Sequence, residues 1–194
     1  HKCAHIIALD DGNYAAQPNN RCIWDIPSFT VKDNIPDWML EAHHEKSLVV
    51  YTPAIPESNQ ELQYFTQNGF RVYKRAEVLG FVTQDAYTIA VAGTHGKTTT
   101  SALLAHVLRS SDIDCTAFLG GVSSNYNTNL LLSKKGNIVV VEADEYDRSF
   151  LKLSPDVLVI TSIDPDHMDI YRDEEDLTNT FQAFAKRVKQ KGIL

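Results

Sequence analysis

AVAGTHGKTTTSALL, residues 90–104, decides how the rest of this chain is read. An apolar run from Tyr87 to Ala92 meets a turn bounded by Gly93 and Gly96. Lys97, Thr98, Thr99 and Thr100 then open an apolar-periodic segment. That order predicts strand, phosphate loop and helix. Gly93 and Gly96 can take backbone angles closed to other residues, so the chain can wrap a phosphate closely. The amides of the loop (Gly93, Thr94, His95, Gly96) and of the helix start (Lys97, Thr98, Thr99) are expected to point inward and favour an anion. Lys97 would meet the outer phosphates as a point charge, and Thr98 would offer its hydroxyl to a magnesium ion. The usual pattern has four residues between its first glycine and the Gly-Lys pair. Here only Thr94 and His95 follow Gly93, and Val91 stands where that glycine would sit. A bare Gly-Lys-Thr can be an ordinary helix start. The strand and helix that flank it favour a nucleoside triphosphate site.

Working outward, strand and helix alternate on both sides. Downstream, the pattern predicts a helix over 97–110 with its apolar positions Ala102, Leu103, Val107 and Leu108 on one face. A strand over 115–121 ends at Gly120 and Gly121, and a polar loop leads from it to an apolar step. Strands follow over 137–144 and 156–164, then an amphipathic helix over 174–190, with a further strand starting at Gly192. Upstream, a short strand is expected within residues 1–11 and a helical turn over 36–40. A buried strand spans 47–53, and Ser58 with Glu61 forms a capping box for a helix that stops at Gly69. A strand over 70–74 and a helical segment over 75–82 complete this part. The fold class is α/β. Residues 1–84 read as a partial, small Rossmann-like domain, and residues 85–194 as part of a P-loop parallel-sheet nucleotide-binding domain.

Bulk properties narrow the partners. The net charge is −7 and no basic block occurs, so nucleic acid is not expected. The longest apolar runs fall far short of the roughly 20 residues of a membrane helix. His1 to Leu9 carries neither an apolar core nor a cleavage site of a signal peptide. The three cysteines, Cys3, Cys22 and Cys115, form no CxxC pair, which disfavours zinc and suits reduced thiols in a cytoplasm. Cys115 reads as core, and His1, His5, His43 and His44 read as solvated.

In open parallel sheets, ligands bind beyond the carboxyl ends of the strands. Three such ends carry polar groups here: the phosphate loop, Glu142 after Ile138–Val141, and Asp164-Pro165-Asp166-His167 after the strand from Val157. Their convergence would bring Thr98, Glu142 and His167 to the same phosphates. Magnesium prefers oxygen ligands and keeps several waters, so Thr98 and Glu142 suit one Mg2+ ion. His167 would serve a second ion, or a water or phosphate beside it. The plainer alternatives are a solvated strand-end carboxylate for Glu142 and a loop histidine bonded to Asp166 or Asp169. Asp144, Glu145 and Asp147 are expected to face solvent or stand behind the ligands, while Tyr146 and Arg148 stay unassigned. Such a site would transfer a phosphoryl group by positioning and charge neutralisation, with Lys97 and the metal offsetting its charge.

AGTHGKTTT (92–100) resembles the shortened phosphate loop of the Mur ligase family of peptidoglycan synthesis. EADEYDRSFLKLSPD (142–156) followed by ITSIDPDHMDIY (160–171) is similar to the branch that joins L-alanine to UDP-N-acetylmuramate. FLGGVSSNYNTNLL (118–131) resembles the family's substrate-facing loop, and VVYTPAIPESNQEL (49–62) with YKRAEVL (73–79) resembles the end of its first domain. The similarity runs from about residue 31 to residue 194. It implies that ATP phosphorylates the muramate carboxylate and that the L-alanine amine attacks the acyl phosphate. It implies catalytic or metal roles for Lys97, Thr98, Glu142 and His167, and muramate contacts for Asn125 and Asn129. Residues 1–30 lack the family's glycine-rich UDP-binding turn, and a third domain that binds the amino acid is not in the sequence. The chain alone is therefore expected to be inactive or nearly so. Gln182 stands where some relatives carry a carbamylated lysine. The rival branch is the murein tripeptide recycling ligase, which shares GTHGKTTT and EADEYD. A nucleotide-binding module without ligase activity is the rival from another class.

Overall fold

In the computed structural model, residues 5–9, 44–165 and 170–194 are described. The chain divides into two compact units, His1–Val78 and Leu79–Leu194. The observed division falls inside the helix Arg75–Gln84, and the one expected near residue 84 falls at the end of that helix.

The first unit holds a parallel sheet of β1 (His5–Leu9), β2 (Ser47–Tyr51) and β3 (Arg71–Lys74), in that order. SLVVY is a near-continuous apolar run, as a strand covered on both faces requires. Val49 is fully buried, and α1 (Gln60–Gln67) lays Leu62 and Phe65 against it. Phe65 meets Phe70 edge to face, with ring centroids 4.9 Å apart. The helix start differs from the expected capping box. Asn59 is the cap: its Oδ1 accepts the Leu62 N–H at 2.8 Å, while Ser58 is exposed. Gly69 ends the helix at φ +75°, as expected. β2 stops at Tyr51, two residues early, because Thr52 accepts the Ile55 N–H in a turn around Pro53. The helical turn expected over 36–40 lies outside the described residues, and α2 (Arg75–Gln84) follows β3 directly.

The second unit is built on β4 (Tyr87–Ala92), β5 (Thr116–Ser123), β6 (Thr128–Leu131), β7 (Ile138–Glu142) and β8 (Val157–Ile160), with α3 (Lys97–Ser110) and α4 (Glu174–Ala185). The strand order is β6-β5-β7-β4-β8. All pairs are parallel except β5 with β6. β4 therefore lies between β7 and β8, with Val91 opposite Glu142 and Ala92 opposite Ile160. The chain leaving β4 must pass between the carboxyl ends of its two neighbours. A core of Phe150, Phe181 and Phe184 covers one face of the sheet, with centroids 5.2 and 4.5 Å from Phe150 to the other two.

Four expectations need correction here. β5 does not stop at its glycines. It continues to Ser123 and turns back as β6 through Asn127, which sits at φ +52°. The polar loop is thus a hairpin, since Asn tolerates the left-handed turn position. The buried face of α3 carries Ser101 and Ala105 with Ala102, Leu104 and Leu108, whereas Leu103 and Val107 are exposed. The last helix ends at Ala185, not near 190, though Val188 still packs on the core. The strand expected from Gly192 is a single parallel bridge from Ile193 to Val157. Cys115 is buried, as expected, and burial pushes its thiol pKa up. Cys3 and Cys22 lie outside the described residues. Among the described residues no helix is long and apolar enough to cross a membrane.

The cap assignment is checked by urea unfolding. Asn59→Ala is expected to cost about 1 kcal/mol, and Ser58→Ala to be nearly silent. The reverse order would restore Ser58 as the cap.

Candidate nucleotide-binding site

The loop after β4 is fixed by its neighbours before any ligand arrives. Gly93 sits at φ +129°, and a Cβ there would lie 2.1 Å from Thr161 Oγ1 and 2.8 Å from the Ser162 backbone nitrogen. No side chain fits, so the glycine permits close contact with the exit of β8. Thr94 donates its N–H to Ser162 O at 3.0 Å, and its hydroxyl lies 2.9 Å from Ser162 Oγ. The Asp164 N–H donates to Thr94 Oγ1 at 3.0 Å, and the His95 N–H donates to Ser162 Oγ at 3.1 Å. The Thr161 hydroxyl donates to His95 O. Thr94 is buried in this weave, so its side chain holds the loop. His95 is exposed, with Nε2 3.8 Å from Asp164 Oδ2. Gly96, at φ +79°, precedes α3 and supplies no side-chain cap. The first N–H groups of a helix have no intrahelical acceptor, which makes this end receptive to an anion.

Two acids from the exit of β7 meet the first two residues of α3. Glu142 Oε1 accepts the Thr98 hydroxyl at 2.9 Å, and Glu142 Oε2 accepts the Gly120 N–H at 2.7 Å. Glu145 Oε1 accepts Lys97 Nζ at 2.7 Å, and Gly93 O accepts the same ammonium at 2.6 Å. Lys97 is 14% exposed and Glu145 is fully buried. Of the two placements expected for Glu145, the structure shows the second: it does not face solvent but stands behind Lys97, a residue of the loop. Three neighbouring acids compete for the role in sequence, and only the turn after Ala143 selects among them. Asp144 Oδ1 accepts the Tyr146 N–H at 3.0 Å, so that acid closes the turn.

The turn is held from below. Asp147 and Arg148 take left-handed backbone angles, φ +52° and +54°. Arg148 donates to Asp176 Oδ2 at 2.8 Å and lies 5.4 Å over the Tyr171 ring. The buried Tyr171 hydroxyl donates to the Glu145 carbonyl at 2.7 Å. The Arg172 backbone N–H, with the Arg148 guanidinium, holds the Asp176 carboxyl below its ordinary range. Burial, followed by the Glu145 charge, pushes the Tyr171 phenol up to about 12.

Residues 91–194, more than half of the chain, match the Mur ligase middle domain. The chain belongs to the Mur ligase family. A UDP-N-acetylmuramate–L-alanine ligase of Porphyromonas gingivalis is 48% identical over 93% of this chain and 43% of the relative. One of Cytophaga hutchinsonii is 49% identical over 86% of the chain and 34% of the relative. The chain therefore spans less than half the length of these curated relatives. Among solved structures, a UDP-N-acetylmuramate-alanine ligase from Thermotoga maritima aligns with a TM-score of 0.66 at 29% identity, over 75% of this chain and 34% of that one. A UDP-N-acetylmuramate:L-alanyl-gamma-D-glutamyl-meso-diaminopimelate ligase from Neisseria meningitides aligns with a TM-score of 0.69 at 25% identity, over 77% and 51%.

In this chain, Gly93 to Thr99 and Glu142 lie side by side at the carboxyl edge of the sheet. Asn125 and Asn129 are exposed on the β5–β6 hairpin, whose base reaches the site: a Cβ on Gly121 would lie 3.4 Å from Thr98 Cγ2. His167, with Asp166 and Asp169, lies outside the described residues. Among the described residues no group of three or more His, Cys, Asp or Glu forms a metal cage. The hydroxyl and carboxylate oxygens of Thr98 and Glu142 nevertheless fit magnesium, which takes one or two carboxylates and completes its shell with phosphate oxygens and water.

Two outcomes test this geometry. A Cβ at Gly120 would lie 2.3–2.6 Å from the Glu142 carboxylate, the mobile end of a side chain. Gly120→Ala is expected to leave the thermal midpoint nearly unchanged while weakening Mg2+-dependent nucleotide binding roughly tenfold; calorimetric titration reads both ions and nucleotide. The Tyr171 phenol has its folded pKa raised from 10.0 to about 12. The native state then holds a proton that the unfolded state loses, so this contribution is full below pH 10.0 and is lost as pH rises through about 12. Urea unfolding should show a steeper alkaline loss for the wild type than for Tyr171→Phe.

Proposed function

We propose that this chain carries the nucleotide-binding part of an ATP-dependent ligase that joins L-alanine to UDP-N-acetylmuramate. The observation that carries the proposal is the meeting of Lys97 and Thr98 with two acids beside the glycine loop. The relatives' names supply the two substrates. In this account residues 85–194 are the first part of the ATP domain, and residues 1–84 belong to the domain that takes the UDP-linked substrate.

The loop amides and Lys97 hold the phosphates of ATP. Thr98 and Glu142 hold a magnesium ion, which neutralises phosphate charge when bound. His167 serves a second ion. Asn125 and Asn129 meet the muramate from the hairpin. The muramate carboxylate takes the terminal phosphoryl group of ATP, and the amine of L-alanine then displaces phosphate to form an amide. The protein's part is to align these groups and offset charge at the phosphoryl group, since such transfer needs little covalent help. This chemistry belongs in the cytoplasm, where ATP is supplied.

The test measures phosphate release by the whole protein that carries this chain, with UDP-N-acetylmuramate present and either L-alanine or the tripeptide as acceptor. L-alanine-dependent release is expected, and Lys97→Ala should lower it by roughly 100-fold or more. Preference for the tripeptide would transfer the chain to the recycling branch. Release that survives Lys97→Ala would remove the phosphate role of this loop.

A further inference from the structure

Glu145 and Lys97 form a tighter unit than a phosphate-binding lysine requires. The ammonium has three N–H donors. One goes to Gly93 O at 2.6 Å and one to Glu145 Oε1 at 2.7 Å. These acceptors lie on the loop itself and on the strand-end turn behind it. A lysine side chain has several rotatable bonds and loses considerable freedom when fixed. Here that freedom is already removed, and among the described residues the third donor meets no acceptor, which leaves it for a ligand.

Glu145 is itself held. It is fully buried. Its carbonyl accepts the Tyr171 hydroxyl at 2.7 Å. The two residues after Tyr146 take left-handed angles that turn the chain back, and Arg148 is tied to Asp176 at 2.8 Å. A carboxylate buried this deeply carries a large desolvation cost, and removing one partner of such a pair is strongly unfavourable. The pairing is therefore directional: the acid stays in place and dictates where the ammonium sits. Glu142, three residues earlier, does the corresponding work for Thr98. One turn of backbone thus sets two adjacent residues of α3, one acid for each.

We propose that Glu145 is a positioning residue that acts through Lys97, holding its ammonium against Gly93 O so that the remaining N–H faces the nucleotide phosphates. It touches no phosphate. The proposal rests on the assignment of Lys97 to the phosphates. It makes the neutral isostere informative, because Glu145→Gln keeps the shape and removes the charge that fixes Lys97.

The test is a double-mutant cycle on the whole protein that carries this chain, using Lys97→Met, Glu145→Gln and the pair. The measured quantities are KM for ATP, kcat, and affinity for ADP against adenosine, with thermal midpoints alongside. Glu145→Gln should lower kcat/KM for ATP by roughly tenfold to 100-fold. It should weaken ADP binding and leave adenosine binding unchanged, because adenosine has no phosphate. In the Lys97→Met background the same change should have almost no further effect. Equal losses with and without Lys97, or an equal loss for adenosine, would overturn the proposal and leave Glu145 a structural residue. A silent Glu145→Gln beside a damaging Lys97→Met would also overturn it, with the phosphate assignment intact. A silent Lys97→Met would remove the phosphate assignment itself. If Glu145→Gln fails to fold, Lys97→Met/Glu145→Met replaces the pair with apolar side chains. That variant should match Lys97→Met alone in nucleotide affinity, and a further loss would contradict the proposal.

Discussion

The position of β4 between β7 and β8 is the constraint on which the site depends. Parallel pairing sets Val91 opposite Glu142 and Ala92 opposite Ile160. All three strands then end at one level. The chain leaving β4 has little room, and Gly93 is the residue that fits against Thr161 and Ser162. From that single register follow the loop, the start of α3, and the approach of Glu142 to Thr98. Ligand sites at the carboxyl edge of open α/β sheets arise for this reason.

Charge is arranged on that scaffold with little slack. The Lys97–Glu145 pair takes a cation and an anion out of water together, which is a poor way to gain stability and a good way to fix geometry. Its surroundings are correspondingly rigid. Phe150, in the turn that follows Glu145, packs at 4.5 Å and 5.2 Å against two aromatic rings of α4. Arg148 ties the same turn to Asp176, and the Tyr171 hydroxyl holds it through the Glu145 carbonyl. The acidic turn is thus anchored in the largest core of the second unit, while the groups it presents stay close to the surface. Glu142, by contrast, is only partly buried and shares its carboxylate between a hydroxyl and a backbone N–H. One acid is locked and the other is free to exchange a partner for a metal.

Local signals made most of the scaffold legible in sequence. The strand and helix on either side of the loop, the helix over 97–110, and Glu142 at a strand end were all predicted by periodicity and glycine placement. What escaped depended on contacts distant in sequence. Leu103 and Val107 carry the right period for a buried face, yet the sheet meets the side that bears Ser101 and Ala105. The hairpin after Gly121 has too many polar residues to stand out as a strand pair, and its register is set by β5 rather than by its own pattern. Glu145 could not be told from Asp144 and Asp147, because the choice is made by two left-handed residues and a tyrosine far along the chain. Ser58 and Asn59 are equally good caps in composition, and only the hydrogen bond that the Leu62 N–H gives to Asn59 separates them.

The central claim is that Thr98 and Glu142 share one divalent ion beside the phosphate loop. A crystal of the whole protein that carries this chain, grown with a non-hydrolysable ATP analogue and Mn2+, tests it through the anomalous signal of manganese. The account predicts one peak within coordination distance, roughly 2.0–2.4 Å, of both Thr98 Oγ1 and a Glu142 carboxylate oxygen, with phosphate oxygens completing the shell. A nucleotide seated on the loop with manganese bound away from both side chains would contradict it.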